Sequence, residues 1–192
     1  MTRLPRPNRE DWDEGTKSIF EGRVEPCDQV ADPSGEQAHG PPNILWTIAH
    51  HSPLLQPFLA FAATLALRGV LTRRDSEVLA LRTAWNCNSA FEWGHHVLYG
   101  LAEGLRDEEI AGIATGPSAG CWGERDVLLL TATDQLTATH TIDEATWGAL
   151  AQAYEPAQLV ELTFVVGNYT MLSMVANATG VPLEPGLPAM PS

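Results

Sequence analysis

The segment that decides the fold is residues 71–96, LTRRDSEVLALRTAWNCNSAFEWGHH. It predicts two successive helices, because apolar residues recur at helical spacing on both sides of a polar break at Asn86–Asn88. Thr72 is placed to cap the first helix, and Ser89 is placed to open the second, which should run to about Gly104. The apolar face of the first helix comprises Val78, Leu79, Leu81 and Trp85.

The sequence on either side of this segment also has helical patterns. Ser52 followed by Pro53 is a strong start signal, a capping hydroxyl with proline at the first helical position. Thr141 and Glu144 have the spacing of a capping box. The other predicted helices cover approximately 10–21, 43–50, 53–69, 107–114, 124–137, 142–154 and 156–180. No segment alternates as a strand does, so the predicted fold class is all-α.

The most apolar predicted helix covers residues 158–177. Glu161, Asn168 and Asn177 interrupt it, so we expect a buried helix rather than a membrane span. Its large apolar residues occur on more than one side, and such a helix must be covered on more than one side. In a chain of this size, that predicts either a central helix or one covered by another subunit. We therefore expect a homo-oligomer.

Charge and cysteine usage exclude several classes of function. The formal net charge of −13 disfavours nucleic acid and anionic membranes as partners, because both are bound through Lys and Arg. The hydrophobic content of 44% is sufficient for a packed core. Cys27, Cys87 and Cys121 are scattered and form no CxxC pair, which is typical of a reducing compartment. We expect a cytoplasmic protein.

The chain divides into three parts by composition. Residues 1–40 form an N-terminal arm, with one short helix followed by a long polar loop from Gly22 to Pro42 that is rich in Gly, Pro and Asp. Residues 41–182 form the helical domain, and residues 183–192 form a C-terminal tail. A loop of this length in a small domain is either mobile or wrapped over a site or a partner subunit.

Candidate chemistry is concentrated around Glu77, Glu92 and His96. Glu92 and His96 are four residues apart, so they should lie on one helix face within contact distance. If the break at Asn86–Asn88 lets the two helices pack side by side, Glu77 approaches the same imidazole. Two carboxylates and one histidine make a plausible proton shuttle. Alternatively, Glu92 only completes a capping box with Ser89, Glu77 pairs with a neighbouring arginine such as Arg73, Arg74 or Arg82, and His96 is a core histidine.

The residues from Leu71 to His96, together with Gly100, resemble the core motif of the carboxymuconolactone decarboxylase and alkylhydroperoxidase D family. Counted from Glu77, the family's other active-site positions are Ser89, Glu92 and His96. The similarity extends from about Pro41 to Pro182. It implies an alkylhydroperoxidase D-like helical bundle, and by analogy with family members a trimer or hexamer.

This sequence departs from the peroxidase branch of that family, which has cysteines at the two central positions. Ser89 and Glu92 occupy them here, and neither side chain can cycle through a disulfide. Cys87 has no partner within a turn of it in sequence. The resemblance therefore implies acid–base chemistry of the decarboxylase type, a lyase or isomerase reaction. Two alternatives remain, a thiol-dependent peroxidase and a non-enzymatic helical oligomer that binds a ligand.

The expected substrate is a small carbonyl-bearing or carboxylated compound bound between the helices. His96, held by Glu92, would transfer a proton at the carbon next to the carbonyl. Glu77 would replenish that proton, and Ser89 would hydrogen-bond the developing oxyanion. The expected substrate-binding residues are Phe91, Trp93, Trp85 and His50.

Paired histidines raise the possibility of a metal site. His50-His51 and His95-His96 are adjacent pairs, and His and carboxylate groups are common metal ligands. Adjacent residues on a helix point about 100° apart, so at most one of each pair would face a common centre. We expect neither a metal nor another cofactor.

Overall fold

The computed structural model describes residues 2–21 and 41–191. All regular secondary structure in these residues is helical, and turns and loops join the helices. The predicted all-α fold is therefore confirmed for this part of the chain. Short 3-10 turns occur at Arg9–Asp11 and Ala49–His51. The α-helices are α1 (Glu14–Phe20), α2 (Asn43–Ile48), α3 (Ser52–Arg68), α4 (Arg73–Asn86), α5 (Ala90–Ala102), α6 (Asp107–Thr115), α7 (Glu124–Thr139), α8 (Glu144–Ala153) and α9 (Pro156–Thr179). The predicted polar loop falls almost entirely on residues 22–40, outside the described residues.

The chain forms two compact units. The first contains Met1–Gly69 and Val175–Pro185, and the second contains Val70–Met174 and Gly186–Ser192. Helices α4 to α8 and most of α9 belong to the second unit, which also holds Glu77, Glu92 and His96. The proposed boundaries at residues 40 and 182 stay a prediction.

In the first unit, the Ser52 hydroxyl does not cap α3 as predicted. It accepts a hydrogen bond from the backbone N–H of Asp13 at 3.0 Å and lies 2.8 Å from the Thr16 hydroxyl. His51, without a side-chain bond, holds the cap position of α3, so Ser52 is not the cap. Its hydroxyl links α3 to α1 instead.

Helix α2 begins at Asn43, with Pro42 in the cap position. The predicted cap of α8 at Thr141 needs correction. Asp143, rather than Thr141, caps α8, and its carboxylate accepts from the backbone N–H of Thr146 at 2.7 Å. A carboxylate one residue before the helix reaches the free N–H groups of the first turn and also favours the positive helix end.

Helix α4 is the centre of the second unit. Every residue from Asp75 to Ala84 is buried, although the helix carries several charged side chains. The helix packs against α5 and α7. The large, fully buried side chains of this unit include Val78, Leu79, Leu81, Leu129, Leu130 and Leu162.

Buried ion pairs satisfy the charged side chains of α4. Arg74 donates to Glu109 on α6 at 2.6 Å and to Asp126 on α7 at 2.5 Å. Arg82 forms two hydrogen bonds with the carboxylate of Asp134 on α7, at 2.6 and 2.9 Å. A buried charge is costly unless it is paired, so these contacts fix the rotation of α4 about its axis. That rotation determines where Glu77 points.

Helix α9 passes the length and composition test for a membrane span. Its most apolar window has a mean hydropathy of 1.4, and 44% of that window is buried within the protein. Buried core helices of soluble proteins pass the same test. This helix is only partly buried in the single chain, so its expected coverage on more than one side stays a prediction.

Candidate active site

The centre of the candidate site is a contact between Glu77 on α4 and His96 on α5. The Oε2 atom of Glu77 lies 2.6 Å from Nδ1 of His96. The Glu77 side chain is only 1% exposed, and the His96 side chain 5%. The turn that joins the two helices contains Asn88 in the left-handed conformation, with φ of 50°, and allows α5 to pack along α4. A polar contact this short in the interior has charge-assisted character.

The second oxygen of Glu77 is also occupied. Arg73, four residues earlier on α4, donates from Nη2 to Oε1 of Glu77 at 2.9 Å. The carboxylate thus lies between a guanidinium and an imidazole. The sequence left open whether Glu77 pairs with a neighbouring arginine or approaches His96. In the structure it does both. Arg73 neutralises the buried carboxylate and holds it in place for His96.

Glu92 lies on the opposite side of the imidazole. Its Oε2 is 3.7 Å from Nε2 of His96, longer than a hydrogen bond. The expectation that Glu92 holds the ring therefore needs correction, since Glu77 makes the closer contact. The reason is geometric: i and i+4 side chains share a helix face, but a carboxylate from a facing helix can approach the ring nitrogen more directly.

Ser89 is the N-cap of α5, as predicted. Its hydroxyl accepts from the backbone N–H of Glu92 at 3.5 Å. The reciprocal half of a capping box is absent at this helix start, because the backbone N–H of Ser89 donates to the carbonyl oxygen of Ala84 at 2.9 Å. Glu92 therefore extends towards His96 rather than back to the cap.

Two tyrosines surround the His96 ring. Tyr169 on α9 meets it edge-on at a centroid distance of 4.3 Å, and Tyr99 on α5 does so at 5.4 Å. Neither tyrosine was among the site residues predicted from the sequence. Tyr99 follows His96 by three residues, which is a helical-neighbour signal. No sequence signal places Tyr169 here, because that contact depends on tertiary packing.

The four residues expected to bind substrate have different surroundings. Phe91 is buried and its ring contacts that of His95 at 4.7 Å. Trp93 is buried against Trp85, with centroids 5.8 Å apart. These contacts indicate packing. His50 belongs to the first unit, where its Nε2 is 2.7 Å from the carbonyl oxygen of Pro5.

Cys87 lies at the end of α4 and is partly buried. Burial raises the pKa of its thiol, and hydrogen bonds with Thr170 and Ser173 oppose that effect only in part. The thiolate is the reactive form of cysteine, so this environment lowers the reactivity of Cys87 at neutral pH.

No group of three or more His, Cys, Asp or Glu side chains within 2–21 and 41–191 is arranged to hold a metal ion. The two contacts of His96 are with carboxylates on opposite ring nitrogens, an arrangement that suits proton transfer.

The segment that carries this geometry matches a family model. Residues 53–135 match the carboxymuconolactone decarboxylase family, and this range includes Glu77, Ser89, Glu92 and His96. The family resemblance inferred from the sequence is thus confirmed. No curated protein has a significantly similar sequence.

Solved structures share the fold over nearly the whole chain. An alkylhydroperoxidase AhpD core protein from Ralstonia eutropha JMP134, described as peroxidase-related, is 17% identical with a TM-score of 0.77, covering 96% of this chain and 93% of that one. A peroxidase-related protein from Silicibacter sp. TM1040 is 19% identical with a TM-score of 0.77, covering 96% and 92%. The apo debrominase Bmp8 is 12% identical with a TM-score of 0.72, covering 96% and 91%. At these identities the similarity establishes the alkylhydroperoxidase D-like fold.

Proposed function

We propose that this protein is an acid–base enzyme that moves a proton on a small carbonyl-bearing or carboxylated organic compound. The supporting observation is the buried His96 ring, with Nδ1 2.6 Å from Glu77 and Nε2 3.7 Å from Glu92. A carboxylate at one ring nitrogen fixes the orientation of an imidazole and leaves the other nitrogen to exchange protons. The match of residues 53–135 to the carboxymuconolactone decarboxylase family supports an enzymatic role.

Each member of the site has a distinct task in this proposal. In the neutral ring, Nδ1 keeps its proton and donates a hydrogen bond to Glu77. The ring lone pair is then on Nε2, the nitrogen that faces Glu92. Nε2 takes a proton from the substrate carbon next to the carbonyl. The imidazolium that forms is stabilised by Glu77, and Arg73 keeps Glu77 in position.

An isomerisation needs only these groups. The bond between carbon and hydrogen breaks, its electron pair moves onto the carbonyl oxygen as an enolate, and Nε2 of His96 holds the proton. Returning that proton to a different carbon of the enolate completes a double-bond migration. Glu92, 3.7 Å from Nε2, is near enough to receive or supply the same proton.

A decarboxylation uses the same groups in a different order. The bond to the departing carboxylate breaks, carbon dioxide leaves, and the electron pair again forms an enolate. Protonated His96 then delivers its proton to that carbon. Ser89 is the proposed donor to the enolate oxygen, because its oxygen accepts from the backbone N–H of Glu92 and its own hydroxyl hydrogen is available to donate.

Hydrogen–deuterium exchange at carbon tests this proposal without knowledge of the final product. Lactones, 2-keto acids, 3-keto acids and enol-forming ketones would be incubated with the protein in heavy water and followed by proton NMR. We expect exchange next to the carbonyl, or loss of carbon dioxide, for at least one of these classes. His96→Gln should abolish it, because the amide cannot serve as a base.

Glu103→Gln is the matched control, because Glu103 is exposed and lies just after α5. This variant should exchange at the wild-type rate. No exchange above the buffer rate with the whole panel, or equal exchange by wild type and His96→Gln, would contradict the proposal.

A thiol-dependent antioxidant activity is the competing proposal, since two structural neighbours are described as peroxidase-related. Cys87 directly follows α4 and hydrogen-bonds with Thr170 and Ser173 on α9, and burial raises the pKa of its thiol. We place this activity second for that reason. Among the described residues neither Cys87 nor Cys121 forms a disulfide, which supports a cytoplasmic location under either proposal. Peroxide consumption that disappears in Cys87→Ser would favour the antioxidant function.

A further inference from the structure

We infer that Tyr169 is a positioning residue, whose ring fixes the plane of the His96 imidazole for the proposed proton transfer. The inference rests on the proposed function and adds to it a residue from a third helix. Glu77 belongs to α4 and His96 to α5, whereas Tyr169 belongs to α9. All three residues lie within the second unit.

The hydrogen bond with Glu77 does not by itself fix the plane of the imidazole. It holds Nδ1 of His96 at 2.6 Å, whereas Glu92 is 3.7 Å from Nε2, too far to hold the other end of the ring. The χ2 torsion of histidine has a broad energy minimum, so the ring can tilt about Nδ1 at little cost. A tilt of about 30° moves Nε2 by roughly 1 Å, and a misplacement of that size can lower a reaction rate about 100-fold.

Tyr169 supplies the contact that opposes this tilt. Its ring meets the imidazole of His96 at a centroid distance of 4.3 Å, with 78° between the planes. Tyr99 meets the same ring at 5.4 Å and 90°. Edge-to-face contact is a preferred geometry of aromatic pairs, so rotation of either ring is opposed. Tyr169 is the closer of the two tyrosines, and it approaches from a different helix, so it restrains the imidazole from a direction that α5 itself cannot supply.

The first half of α9 is bound to the turn that precedes α4. The carboxylate of Glu161 accepts from the backbone N–H of Val70 at 2.6 Å and from that of Leu71 at 3.2 Å. Gln158 donates to the carbonyl oxygen of Val70 at 3.0 Å. Glu161 precedes Tyr169 by eight residues, about 12 Å along the helix. These bonds fix how far α9 is shifted along α4.

The residues after Tyr169 contact the other end of α4. The hydroxyls of Thr170 and Ser173 interact with the thiol of Cys87, which directly follows α4. Val166 and Ser173 share the helix face of Tyr169, and they are 3% and 0% exposed. Helix α9 is therefore held against α4 on both sides of Tyr169, which keeps the tyrosine ring against His96.

A tyrosine at this place has two other conceivable roles. Its phenol hydroxyl could bind the substrate directly, in which case the hydroxyl is essential. Its ring could merely fill space, in which case any apolar side chain of similar size suffices. The positioning role requires the aromatic ring but not the hydroxyl, so substitutions of Tyr169 distinguish the three roles.

Carbon–hydrogen exchange by the full chain is the first measurement, with the lactone or keto acid that wild type exchanges fastest. Tyr169→Leu should lower kcat by roughly 10–100-fold with little change in KM, because Nε2 is misplaced while the binding surface remains. Tyr169→Phe should keep kcat within about threefold of wild type, since the edge-to-face contact is retained. Phe164→Leu is the matched control, because it removes a ring from the 52% exposed Phe164 of the same helix, and it should behave like wild type.

The His96 ring proton at Nδ1 provides a second measurement that needs no substrate. In protein labelled with ¹⁵N-histidine, Tyr169→Leu should speed exchange of this proton with water by about tenfold or more, because a tilting ring opens its bond to Glu77. Tyr169→Phe and Phe164→Leu should keep the wild-type exchange rate. Circular dichroism checks that each variant is folded, and Tyr169→Met, a milder apolar change, replaces Tyr169→Leu if that variant does not fold.

Three results would overturn the inference. Wild-type kcat and wild-type Nδ1 exchange in Tyr169→Leu would reduce Tyr169 to packing. A loss of kcat in Tyr169→Phe as large as that in Tyr169→Leu would assign the hydroxyl to the substrate, and a raised KM with unchanged kcat would assign the ring to substrate binding. If wild type exchanges no compound, the proposed function fails, and the Nδ1 exchange rates alone then decide whether Tyr169 fixes the ring.

Discussion

The carboxylate of Glu77 and the imidazole of His96 are nineteen residues apart in sequence and 2.6 Å apart in the folded chain. Both side chains are buried, and they come from the two helices that residues 71–96 encode. The second oxygen of Glu77 is bound by Arg73, and the second nitrogen of His96 faces Glu92. Glu77 thus links a guanidinium to the imidazole, and a second carboxylate lies 3.7 Å beyond the ring.

Replacing His96 tests the role of the imidazole. His96→Gln should lower kcat for carbon–hydrogen exchange by roughly 10²–10⁴-fold, the usual contribution of a general acid or base. The amide retains hydrogen-bonding capacity, so the far-ultraviolet circular dichroism should not change. Parallel measurement of kcat and helix content distinguishes a lost base from a lost fold. Unchanged kcat would remove His96 from the mechanism.

Arg73 should act by positioning Glu77. Arg73→Met should lower the free energy of unfolding by about 2 kcal/mol, because a charged hydrogen bond to a buried carboxylate is lost. It should also lower kcat with little change in KM, and Arg73→Lys should recover part of the loss.

Urea titration and steady-state kinetics measure these two effects of Arg73. Arg68→Met is the control, because the Arg68 guanidinium contacts only the Thr64 hydroxyl on the exposed surface among the contacts described, and it should change stability by less than about 0.5 kcal/mol. A raised KM with unchanged kcat in Arg73→Met would instead assign Arg73 to substrate binding.

A contact in this site can be predicted from the sequence when its two residues are close together along the chain. The caps Thr72 and Ser89 were predicted correctly, because capping needs only a residue and the N–H groups that follow it. The approach of Glu77 to His96 was predicted from a short break between two helices. Tyr169 lies on α9, with three helices between it and the α5 helix of His96, and no local rule locates it.

The errors have the same physical origin. Ser52 has the sequence of a cap, but its hydroxyl is used by Thr16 and Asp13, which are distant in sequence. Glu92 has the spacing to hold His96, but a carboxylate from the facing helix makes the closer contact. In each case tertiary contacts replaced the bond that local sequence favours.

Tyr154 should make stability depend on alkaline pH. Burial, followed by the charge of Asp75, raises the pKa of its phenol from 10.0 to about 12. The folded state therefore retains this proton above pH 10, whereas the unfolded state loses it. The corresponding stability is fully present below pH 10 and is lost as the pH rises towards 12, a change of the order of 2 kcal/mol.

The control for that pH dependence is Tyr154→Phe. It should lose about 1 kcal/mol at pH 8, because Arg125 donates to the phenol oxygen at 2.9 Å. Between pH 10 and 12 its urea midpoint should fall less than that of wild type. Equal slopes for both proteins would contradict the assigned pKa of Tyr154.

Cys87 should react slowly with alkylating agents. Because its pKa is raised by burial, the thiol stays protonated at pH 7.5, and its rate with iodoacetamide should be at least severalfold below that of free glutathione. The rate should rise as the pH approaches that raised value. Mass spectrometry of the peptide that contains Cys87 measures it. A rate above that of glutathione would favour the antioxidant function.

The most direct test of the buried pair is the nuclear magnetic resonance signal of the His96 ring proton at Nδ1, in protein labelled with ¹⁵N-histidine. We expect a slowly exchanging, strongly downfield signal that moves upfield in Glu77→Gln and stays in place in Glu103→Gln. A ring proton that exchanges like those of exposed histidines, or a signal that Glu77→Gln leaves unchanged, would contradict the pairing on which the proposed chemistry depends.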